Sequence, residues 1–478
     1  MGVHTVEKIG GTSISDTRAV LDNILIGART GAELYNRIFV VSAYAGVTDR
    51  LLEHKKTGRP GVYALFAAAA SGEGEAWRTA IDDLLTHLRA LNAERFTDPA
   101  DLAAADAFVE QRVETARSCL GDLQRLCAQG HFRLDAQLGA VREMLASIGE
   151  AQSAHNLTLE LRRRGVNARM VDLTGWDEPD AVELDELLAR AFADVDLASE
   201  LPIATGYAKA GKGLMAEYGR GYSEVVFSRT AVVTGAREAT IHKEFHLSSA
   251  DPKLVGPGAV RKVGRTNYDV ADQLANLGME AIHPRAARGL RQAGIPLCVR
   301  NTFDPEDRGT TIWSDFVSEQ PRVEIICGLT GLTALELFEP DMVGVKGYDA
   351  GILAVLTRHA ARIVSKASNA NTISHYLDAT PKQVKRVIAD LEREFPNATV
   401  TTQQVAVVAV IGSDLNIPGL TAAAAQALAD AGVEILGIQQ LTRRVDLQFV
   451  VRERDYAASV QALHARLVCG GGRLRSAA

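Results

Sequence analysis

The amino-acid sequence predicts an α/β fold: a large amino-terminal domain built around a mostly parallel sheet, followed by two smaller α/β modules. Three observations support this prediction. Strand-like apolar runs alternate with helix-like stretches up to about residue 315, residues 60–165 carry Ala, Leu, Glu and Arg at helical spacing, and the carboxyl-terminal third contains an internal repeat. Strands that alternate with helices favour a parallel or mixed sheet covered by helices.

The first elements illustrate the alternation. Residues 4–10 ("HTVEKIG") are strand-like, residues 16–30 ("DTRAVLDNILIGART") are helix-like, and residues 37–45 ("RIFVVSAYA") form a second strand-like run. The unbroken apolar residues 38–41 are typical of a strand that is buried on both faces. Residues 60–165 predict a helical layer of the same domain.

The repeat occupies residues 338–368 and 410–440. Each copy reads as a strand, a glycine-bearing turn, an amphipathic helix and a strand. Because one copy is too short to close a core alone, we expect the two to pack together. A helical segment at 381–395 lies between them, and the glycine-rich tail at 471–478 is expected to fray.

Composition excludes several classes of protein. The chain has 478 residues, of which 47% are hydrophobic and 23% charged, enough to bury large cores. A net charge of −7 argues against non-specific binding to nucleic acid or anionic membrane. Five cysteines without a CxxC pair indicate reduced thiols rather than disulfides or structural zinc. With no signal peptide or membrane-spanning run, we expect a cytoplasmic protein.

The hexapeptide "KIGGTS", residues 8–13, lies between a predicted strand and a predicted helix. Glycines let backbone N–H groups approach a ligand closely, and a helix start and a lysine add positive charge. This combination suits an anion such as phosphate. It is not a Walker A loop, in which the lysine follows the glycines. A plain strand-to-helix turn fits the hexapeptide alone equally well.

Other polar positions follow predicted elements. Thr48 comes after the second strand, at the end where open α/β sheets bind ligands. Arg220 lies on a glycine-flanked turn with Ser223 and Glu224, and arginine suits bidentate recognition of carboxylate or phosphate. "SIGE", which carries Glu150, is expected to end a helical stretch.

The histidines indicate structural roles. His242 and His246 lie four residues apart on a strand-like stretch, without a third ligand, so no zinc site is expected. His283 precedes a proline and is predicted to cap a helix start.

Seven segments together resemble the aspartate kinases. "EKIGGTS", "VVSAYAGVTD", "SIGE", "GRGYSE", "ADPKLV", "AIHPRA" and "GIPLCVRNTFDPEDRGTTI" occur in that family's order, and the repeat resembles its tandem ACT domains. The departures from the common pattern resemble the divergent aspartate kinases encoded with ectoine biosynthesis genes.

The resemblance implies the amino-acid-kinase fold, with helices on both sides of a mostly parallel sheet, and two ferredoxin-like βαββαβ ACT domains. The implied domains are a catalytic domain at 1–318, a first ACT domain at 319–400 with 455–470 as a candidate to complete it, and a second ACT domain at 401–470, followed by the tail.

The implied activity is phosphoryl transfer from ATP, with Mg²⁺, to the β-carboxylate of L-aspartate, which gives 4-phospho-L-aspartate at the start of the aspartate pathway. A homodimer or higher homo-oligomer formed through the ACT domains is implied as well. The attacking carboxylate is ionised near neutral pH, so no general base is required. A loose transition state needs alignment and positive charge instead.

The resemblance also assigns residues. Arg220 would clamp a carboxylate of aspartate and Glu150 would attract its ammonium, while Lys8 would contact the transferred phosphoryl group. The catalytic residues implied are Lys8, Arg220 and Glu224; the substrate contacts are Thr48, Glu150, Arg220 and Ser223; the nucleotide contacts are Lys8, Gly10, Gly11, Ser13, Lys243, Glu244 and Lys253; the effector contacts are Gly347, Tyr348 and Asp349; no protein metal ligand is implied.

Several positions depart from the family pattern. Tyr222 and Glu224 replace the usual glycine and aspartate, Lys243-Glu244 replaces Thr-Asp, and Glu280 replaces a lysine. We expect these changes to affect nucleotide affinity more than reaction type. In the first ACT domain, Val364 stands about where an aspartate would meet an effector, which predicts weak or absent inhibition by lysine and threonine. ACT domains that mainly build a dimer interface are the alternative.

Two other functions fit the same pattern. One is an amino-acid-sensing protein on a decayed kinase scaffold, and the other is a kinase for glutamate or acetylglutamate. The tandem ACT repeat and "GVTD" favour aspartate. The downstream pathway stays open between ectoine and the lysine, threonine and methionine routes.

Overall fold

The computed structural model describes residues 2–55, 57–69, 74–129, 131–176, 182–279 and 282–470. Glu280 and the tail at 471–478 lie outside these ranges. The described chain forms two compact units. The first comprises residues up to 246 together with 282–314, and the second comprises 247–279 together with 315–470.

The strands are, in chain order, β1 Thr5–Ile9, β2 Arg37–Val41, β3 Ala168–Val171, β4 Leu201–Thr205, β5 Glu238–Lys243, β6 Arg265–Thr266, β7 Leu297–Asn301, β8 Thr310–Ile312, β9 Ile325–Phe338, β10 Arg362–Ser368, β11 Thr372–Asp378, β12 Thr399–Ile411, β13 Ile435–Gln440 and β14 Asp446–Arg452. The α-helices are α1 Gly11–Ser15, α2 Thr17–Ala19, α3 Val47–Leu51, α4 Val62–Ala69, α5 Ala76–Ala93, α6 Pro99–Cys127, α7 Leu138–Arg163, α8 Leu184–Phe192, α9 Leu214–Tyr218, α10 Tyr222–Thr234, α11 Pro252–Val255, α12 Tyr268–Asn276, α13 Pro284–Ala293, α14 Tyr348–Arg358, α15 Pro381–Glu394, α16 Leu420–Asp430 and α17 Tyr456–His464.

The first unit is built on a mostly parallel sheet. Its seven strands lie in the order β3-β4-β2-β1-β5-β7-β8, and only the last pair, β7 with β8, runs antiparallel. Strands β1, β2 and β4 are buried along their whole length, as expected for a sheet covered on both faces. The predicted α/β class with a mostly parallel sheet is therefore confirmed.

The register of the central strands creates one polar edge. Ile9 at the end of β1 pairs with Val41 of β2 on one side and with His242 of β5 on the other. The residues that follow these three strands therefore meet at the carboxyl edge of the sheet, where α/β folds bind ligands. Those residues are the Gly10–Gly11 pair, Ser42 and Glu244, and Lys243 is the last residue of β5.

A helical segment follows the second strand. Helices α4, α5, α6 and α7 occupy most of residues 62–163, and α6 begins at an Asp98 side chain that accepts hydrogen bonds from two backbone N–H groups. Helix α7 is buried from Leu145 to Ser153 without interruption. Ser147–Glu150 therefore lies in the middle of a helix, and the prediction that "SIGE" ends one is wrong.

Gly149 explains that error. A Cβ atom at this position would lie 2.7 Å from the Cβ of Ala43, so glycine is required for close packing of α7 against the segment after β2. Its sequence context is typical of a helix end, whereas in the structure this glycine lets a neighbouring segment pack closely against the helix.

The second unit contains a six-stranded antiparallel sheet in the order β10-β11-β9-β12-β14-β13. Strands β9 and β12 are its long central pair, with Phe338 opposite Thr399 at one end and Ile325 opposite Ile411 at the other. The register shifts between Val405 and Val407, in the middle of this pair. Two modules therefore share one pair of strands.

Each half of the strand pair has its own hydrophobic core. One core includes Leu335, Ile352 of α14 and Leu391 of α15, and the other includes Leu428 of α16 and Phe449. Both repeat helices start at a left-handed glycine, Gly347 with φ 107° before α14 and Gly419 with φ 78° before α16. The strand–turn–helix–strand pattern of both repeat copies is confirmed. Within the described residues, no helix combines the length and apolar character needed to cross a membrane.

Candidate active site

Lys8 and Glu224 form an ion pair at the carboxyl edge of the first sheet. Lys8, on β1, is 6% exposed, and its Nζ lies 3.4 Å from Oε1 of Glu224 in the first turn of α10. The other Glu224 oxygen accepts a hydrogen bond from the backbone N–H of His283. Burial would raise the pKa of Glu224, but Lys8 and Lys243 outweigh it, and the pKa lies below its ordinary value. The Glu224 carboxylate is therefore ionised, and its charge is stabilised by Lys8 and Lys243, two lysines that are predicted to bind ligand.

The glycine pair after β1 allows backbones to approach closely. A Cβ atom on Gly11 would lie 2.8 Å from the carbonyl oxygen of Ala43. The backbone N–H of Gly10 donates to the carbonyl of His242 at 3.4 Å. This N–H is therefore part of the sheet hydrogen bonding, although we expected it to point at a ligand. Gly10 has φ −70°, which any residue can adopt, so its backbone angle does not explain the glycine.

Ser13 lies in a small polar cluster beside this turn. Its hydroxyl is fully buried, donates to Glu244 at 3.4 Å and accepts from the Thr302 hydroxyl at 3.0 Å. The N–H of Thr302 in turn donates to the carbonyl of Lys243 at 2.8 Å. The structure thus brings together Ser13, Lys243 and Glu244, three of the residues predicted to contact nucleotide.

Glu150 is a buried carboxylate with one oxygen left open. It is 3% exposed, and its Oε1 accepts a 2.6 Å hydrogen bond from the Tyr222 hydroxyl. Its Oε2 has no hydrogen-bond partner within the described residues. Burial raises the pKa of Glu150 to about 7, although the Tyr222 hydrogen bond and the charge of Lys8 favour the ionised form. A buried acceptor without a donor is costly and indicates a place for a cationic ligand group.

Arg220 is held by acceptors of the protein itself. Its guanidinium donates to the Asp49 carboxylate and to the backbone carbonyl of Glu53. The Glu53 carboxylate lies 3.7 Å away and is also paired with Arg142 at 2.6 Å. Asp49 follows Thr48 on α3, so the ion pair brings Arg220 to the helix that carries a second predicted substrate contact. The sequence analysis did not single out Asp49, although it is the last residue of "GVTD".

Glycines shape the turn that carries Arg220. Gly219 has φ 61°, in the left-handed region that favours glycine. A Cβ atom on Gly221 would overlap the His283 ring. The Ser223 hydroxyl lies 3.3 Å from that of Ser42, which joins the turn to the end of β2. His283 accepts from the N–H of Arg285 at the start of α13, and its predicted capping role is confirmed.

Some predicted residues lie in the second unit. Lys253 is exposed on the short helix α11, and Gly347, Tyr348 and Asp349 form the start of α14. Asp349 pairs with Lys366 at 2.9 Å. Their ligand-binding roles remain predictions, and so does the effect of Glu280, which falls outside the described residues.

The two spaced histidines have different surroundings. His242 lies on β5 with its Nε2 2.7 Å from Glu7, which also pairs with Arg37 at 2.9 Å. His246 lies beyond the end of β5, not on a strand, with Nε2 3.1 Å from Asp304 and Nδ1 4.0 Å from Asp307. His246, Asp304 and Asp307 each offer a ligand atom within 4.8 Å of the others, so His246 has the further acidic neighbours that its sequence context did not predict, although exposed acidic groups often lie together without a metal ion.

This edge of the sheet could hold an amino acid and a phosphoryl group together. Glu150 offers an acceptor for an ammonium group, Arg220 a donor for a carboxylate, and Lys8 with Lys243 positive charge for an anion. Preorganised charges of this kind are what phosphoryl transfer requires.

Comparison with known proteins identifies the family. The model of the amino acid kinase family matches residues 4–301, and an ACT domain model matches residues 408–467. The chain belongs to the amino acid kinase family. It is 52% identical over 466 residues to the aspartate kinase Ask_Ect of Stutzerimonas stutzeri (strain A1501), which covers 98% of each chain. This chain therefore belongs with the aspartate kinases, as the order of its motifs predicted.

More distant relatives agree with this assignment. A bifunctional aspartokinase/homoserine dehydrogenase of Arabidopsis thaliana is 23% identical over 96% of this chain, which spans about half (50%) of that longer relative. The crystal structure of E. coli aspartokinase III in complex with aspartate and ADP (R-state) has a TM-score of 0.71 at 22% identity, over 97% of this chain and 99% of that one. At this identity the match shows a shared fold.

Proposed function

We propose that this amino acid kinase transfers the terminal phosphoryl group of ATP to the β-carboxylate of L-aspartate and forms 4-phospho-L-aspartate. The observation that carries the proposal is the open, buried Oε2 of Glu150, which lies at the same sheet edge as Lys8 and Arg220. The aspartate kinase name of the 52% identical relative supports the same substrate. The E. coli aspartokinase III structure, which shares the fold, was determined with aspartate and ADP, the ligands that such a reaction requires.

Aspartate would bind through its ammonium group and its α-carboxylate. Its ammonium would meet Glu150 Oε2, and its α-carboxylate would take the place of the Asp49 carboxylate on Arg220, beside Thr48. Charge-assisted hydrogen bonds of this kind are short and strong when both partners are desolvated. The β-carboxylate would then face Lys8 and Ser223 and needs no base, because it is already ionised.

Lys8 would stabilise charge on the transferred phosphoryl group. Its ion pair with Glu224 holds the ammonium at the end of β1, and the N–H of His283 holds Glu224 in turn. Glu224 would thus hold Lys8 as the family's usual aspartate does, with a side chain that is one methylene longer. A fixed cation that needs no rearrangement contributes most to a loose transition state.

The nucleotide would lie beside the Ser13 cluster. Gly10, Gly11, Ser13, Lys243 and Glu244 are the proposed contacts in the first unit, and a nucleotide contact of Lys253 stays a prediction. Mg²⁺ keeps several waters and binds through substrate phosphates with one or two carboxylates. Glu244 would contact the nucleotide beside Ser13, whose hydroxyl donates to it at 3.4 Å. Mg²⁺, when bound, neutralises the nucleotide phosphates.

We also propose the larger organisation of the protein. Residues 1–318 form the catalytic domain, and 319–400 and 401–470 form the two ACT domains. Val460, Leu463 and Val468 pack in the core of Leu428 and Phe449, which supports placing 455–470 in the second ACT domain and not in the first. These domains build a homodimer or a higher homo-oligomer, and the enzyme works in the cytoplasm. A role in ectoine synthesis is supported by the name of the Ask_Ect relative.

A trapping assay tests the proposed function. Purified protein is incubated with ATP, Mg²⁺ and hydroxylamine, which converts an acyl phosphate to a hydroxamate, and ADP is measured in parallel. L-Aspartate, L-glutamate and N-acetyl-L-glutamate are compared at equal concentration. We expect aspartate hydroxamate in stoichiometric amount with ADP. A preference for either glutamate substrate, or binding of amino acid without turnover, would support the alternative kinase or the sensing protein instead.

A further inference from the structure

Tyr222 occupies a position where aspartate kinases usually have glycine, and its side chain lies against the carboxylate of Glu150. The residue is 2% exposed, and its hydroxyl donates to Glu150 Oε1 at 2.6 Å. From the sequence, the replacements near this turn are expected to affect nucleotide affinity. The structure instead places the added side chain on the residue proposed to hold the amino acid.

The surroundings keep this hydroxyl a donor. Burial, followed by the charge of Glu150, raises the pKa of Tyr222 well above its ordinary value, so the phenol stays protonated. The ring packs edge-on against Tyr207, with ring centroids 5.6 Å apart. Tyr207 donates its own hydroxyl to Glu143 at 2.8 Å, so it supports the Tyr222 ring without bonding Glu150.

Resting on the proposed function, we propose that Tyr222 is a positioning residue for the amino-acid substrate: its hydroxyl occupies Oε1 of Glu150 and fixes the side chain so that Oε2 faces the substrate ammonium. A glycine at this position leaves no side chain to do so. Binding groups held by a second layer of hydrogen bonds lose less freedom when the ligand arrives.

The same hydrogen bond favours the charge that binding needs. The titratable groups facing Glu150 are Lys8 from β1, Tyr222 from α10 and Tyr207 from the segment after β4, and the backbone of Ala43 also contributes. Burial raises the pKa of Glu150 to about 7, and the Tyr222 hydrogen bond opposes this rise. Without the hydroxyl, the pKa rises further, and less Glu150 is ionised at neutral pH.

The test compares two phenylalanine variants of the full-length protein. Tyr222→Phe removes the hydroxyl from Glu150, and Tyr207→Phe removes an equally buried hydroxyl from Glu143. Aspartate affinity is measured by calorimetry between pH 6 and 9, and KM and kcat by the trapping assay. We expect Tyr222→Phe to weaken aspartate binding roughly tenfold at pH 7, the usual effect of losing a hydrogen bond to a charged group. Affinity should recover toward pH 9, kcat should change little, and Tyr207→Phe should match the parent.

Two further measurements separate positioning from general damage. In a Glu150→Gln background, Tyr222→Phe should have a much smaller effect on affinity, because its partner is already altered. If Tyr222→Phe does not fold, 3-fluorotyrosine can be incorporated at position 222 instead. This residue keeps the ring and makes the hydroxyl a stronger hydrogen-bond donor. The pH below which aspartate binding weakens should then move to a lower value.

The outcomes also separate this proposal from the proposed function. Wild-type protein that neither binds nor phosphorylates aspartate overturns the function itself. Wild-type activity together with an unchanged affinity and pH profile in Tyr222→Phe, or an equal effect of Tyr207→Phe, overturns the positioning role alone.

Discussion

The guanidinium of Arg220 is bound by the carboxylate of Asp49, 171 residues away in the sequence. Burial would raise the pKa of Asp49, but its hydrogen bond to Arg220 holds the pKa below its ordinary value. The guanidinium proposed to bind substrate therefore already has acceptors within the protein. An α-carboxylate that binds Arg220 must compete with an internal carboxylate in the same place.

Asp49→Asn tests this competition. The amide keeps the shape of the side chain but holds a guanidinium less strongly, so KM for aspartate should fall about two- to fivefold, in keeping with a partly exposed ion pair worth at most about 1 kcal/mol. Steady-state kinetics at fixed ATP measures the change. An increase in KM at unchanged thermal stability would mean that Asp49 positions Arg220 for the substrate instead of competing with it.

Glu150 should make the stability of the protein depend on pH. Its pKa is raised to about 7 in the folded protein from an ordinary value near 4.5, so the folded state binds the proton more tightly. The resulting stability is present below the unfolded pKa and is lost as pH rises through the folded pKa.

Urea unfolding of wild type and Glu150→Gln at pH 5 and pH 9 checks this. The wild type should lose on the order of 3 kcal/mol relative to the variant between the two pH values. Because the comparison is between two chains that differ at one group, other titrations cancel. A stability difference that does not change with pH would contradict the assignment.

Gly221 should tolerate no side chain. A Cβ atom there would overlap the His283 ring, whose backbone N–H also holds Glu224. Gly221→Ala should therefore cost about 1–3 kcal/mol of stability, as overpacking usually does, and should lower kcat. Gly139→Ala is the matched control, since a Cβ atom on Gly139 meets nothing within 4 Å. Equal unfolding midpoints for the two variants would contradict this, because they would show that the turn can rearrange to accept a side chain.

Lysine and threonine should inhibit the kinase weakly or not at all. Val364 is a buried residue on β10 in place of the expected acidic one, and Asp349 at the start of α14 already pairs with Lys366. Lys366 occupies only one oxygen of Asp349, and the other has no hydrogen-bond partner among the described residues, so the prediction depends on the missing carboxylate at position 364. Kinase assays with each amino acid at millimolar concentration measure this, and strong inhibition by either would contradict it.

The sequence predicted those parts of the molecule that depend on local pattern. Strand β1, strand β2 and the two repeat helices follow from apolar runs, glycines and helical spacing, and the motif order identified the family. The parallel order of β1, β2 and β5 then brings Lys8, Ser42 and Lys243 to one edge, because parallel strands end on the same side.

Contacts between distant segments could not be read in the same way. The Tyr222–Glu150 hydrogen bond joins residues 72 positions apart, and no local pattern encodes it. At Gly149 a local pattern gave a wrong prediction. Its sequence context is typical of a helix end, but the reason for the glycine is the packing of Ala43 against α7. Tyr222 was visible as a departure from the family pattern, which was the one available signal of its role.

The most direct test of the central claim is aspartate hydroxamate formation by wild-type protein and by Lys8→Ala in parallel. With ATP, Mg²⁺, L-aspartate and hydroxylamine, the wild type should produce hydroxamate and ADP together. Lys8→Ala should remain folded by circular dichroism and lose turnover, because the phosphoryl group loses its fixed cation. A fully active Lys8→Ala variant, or a wild type that makes no hydroxamate, would contradict the account.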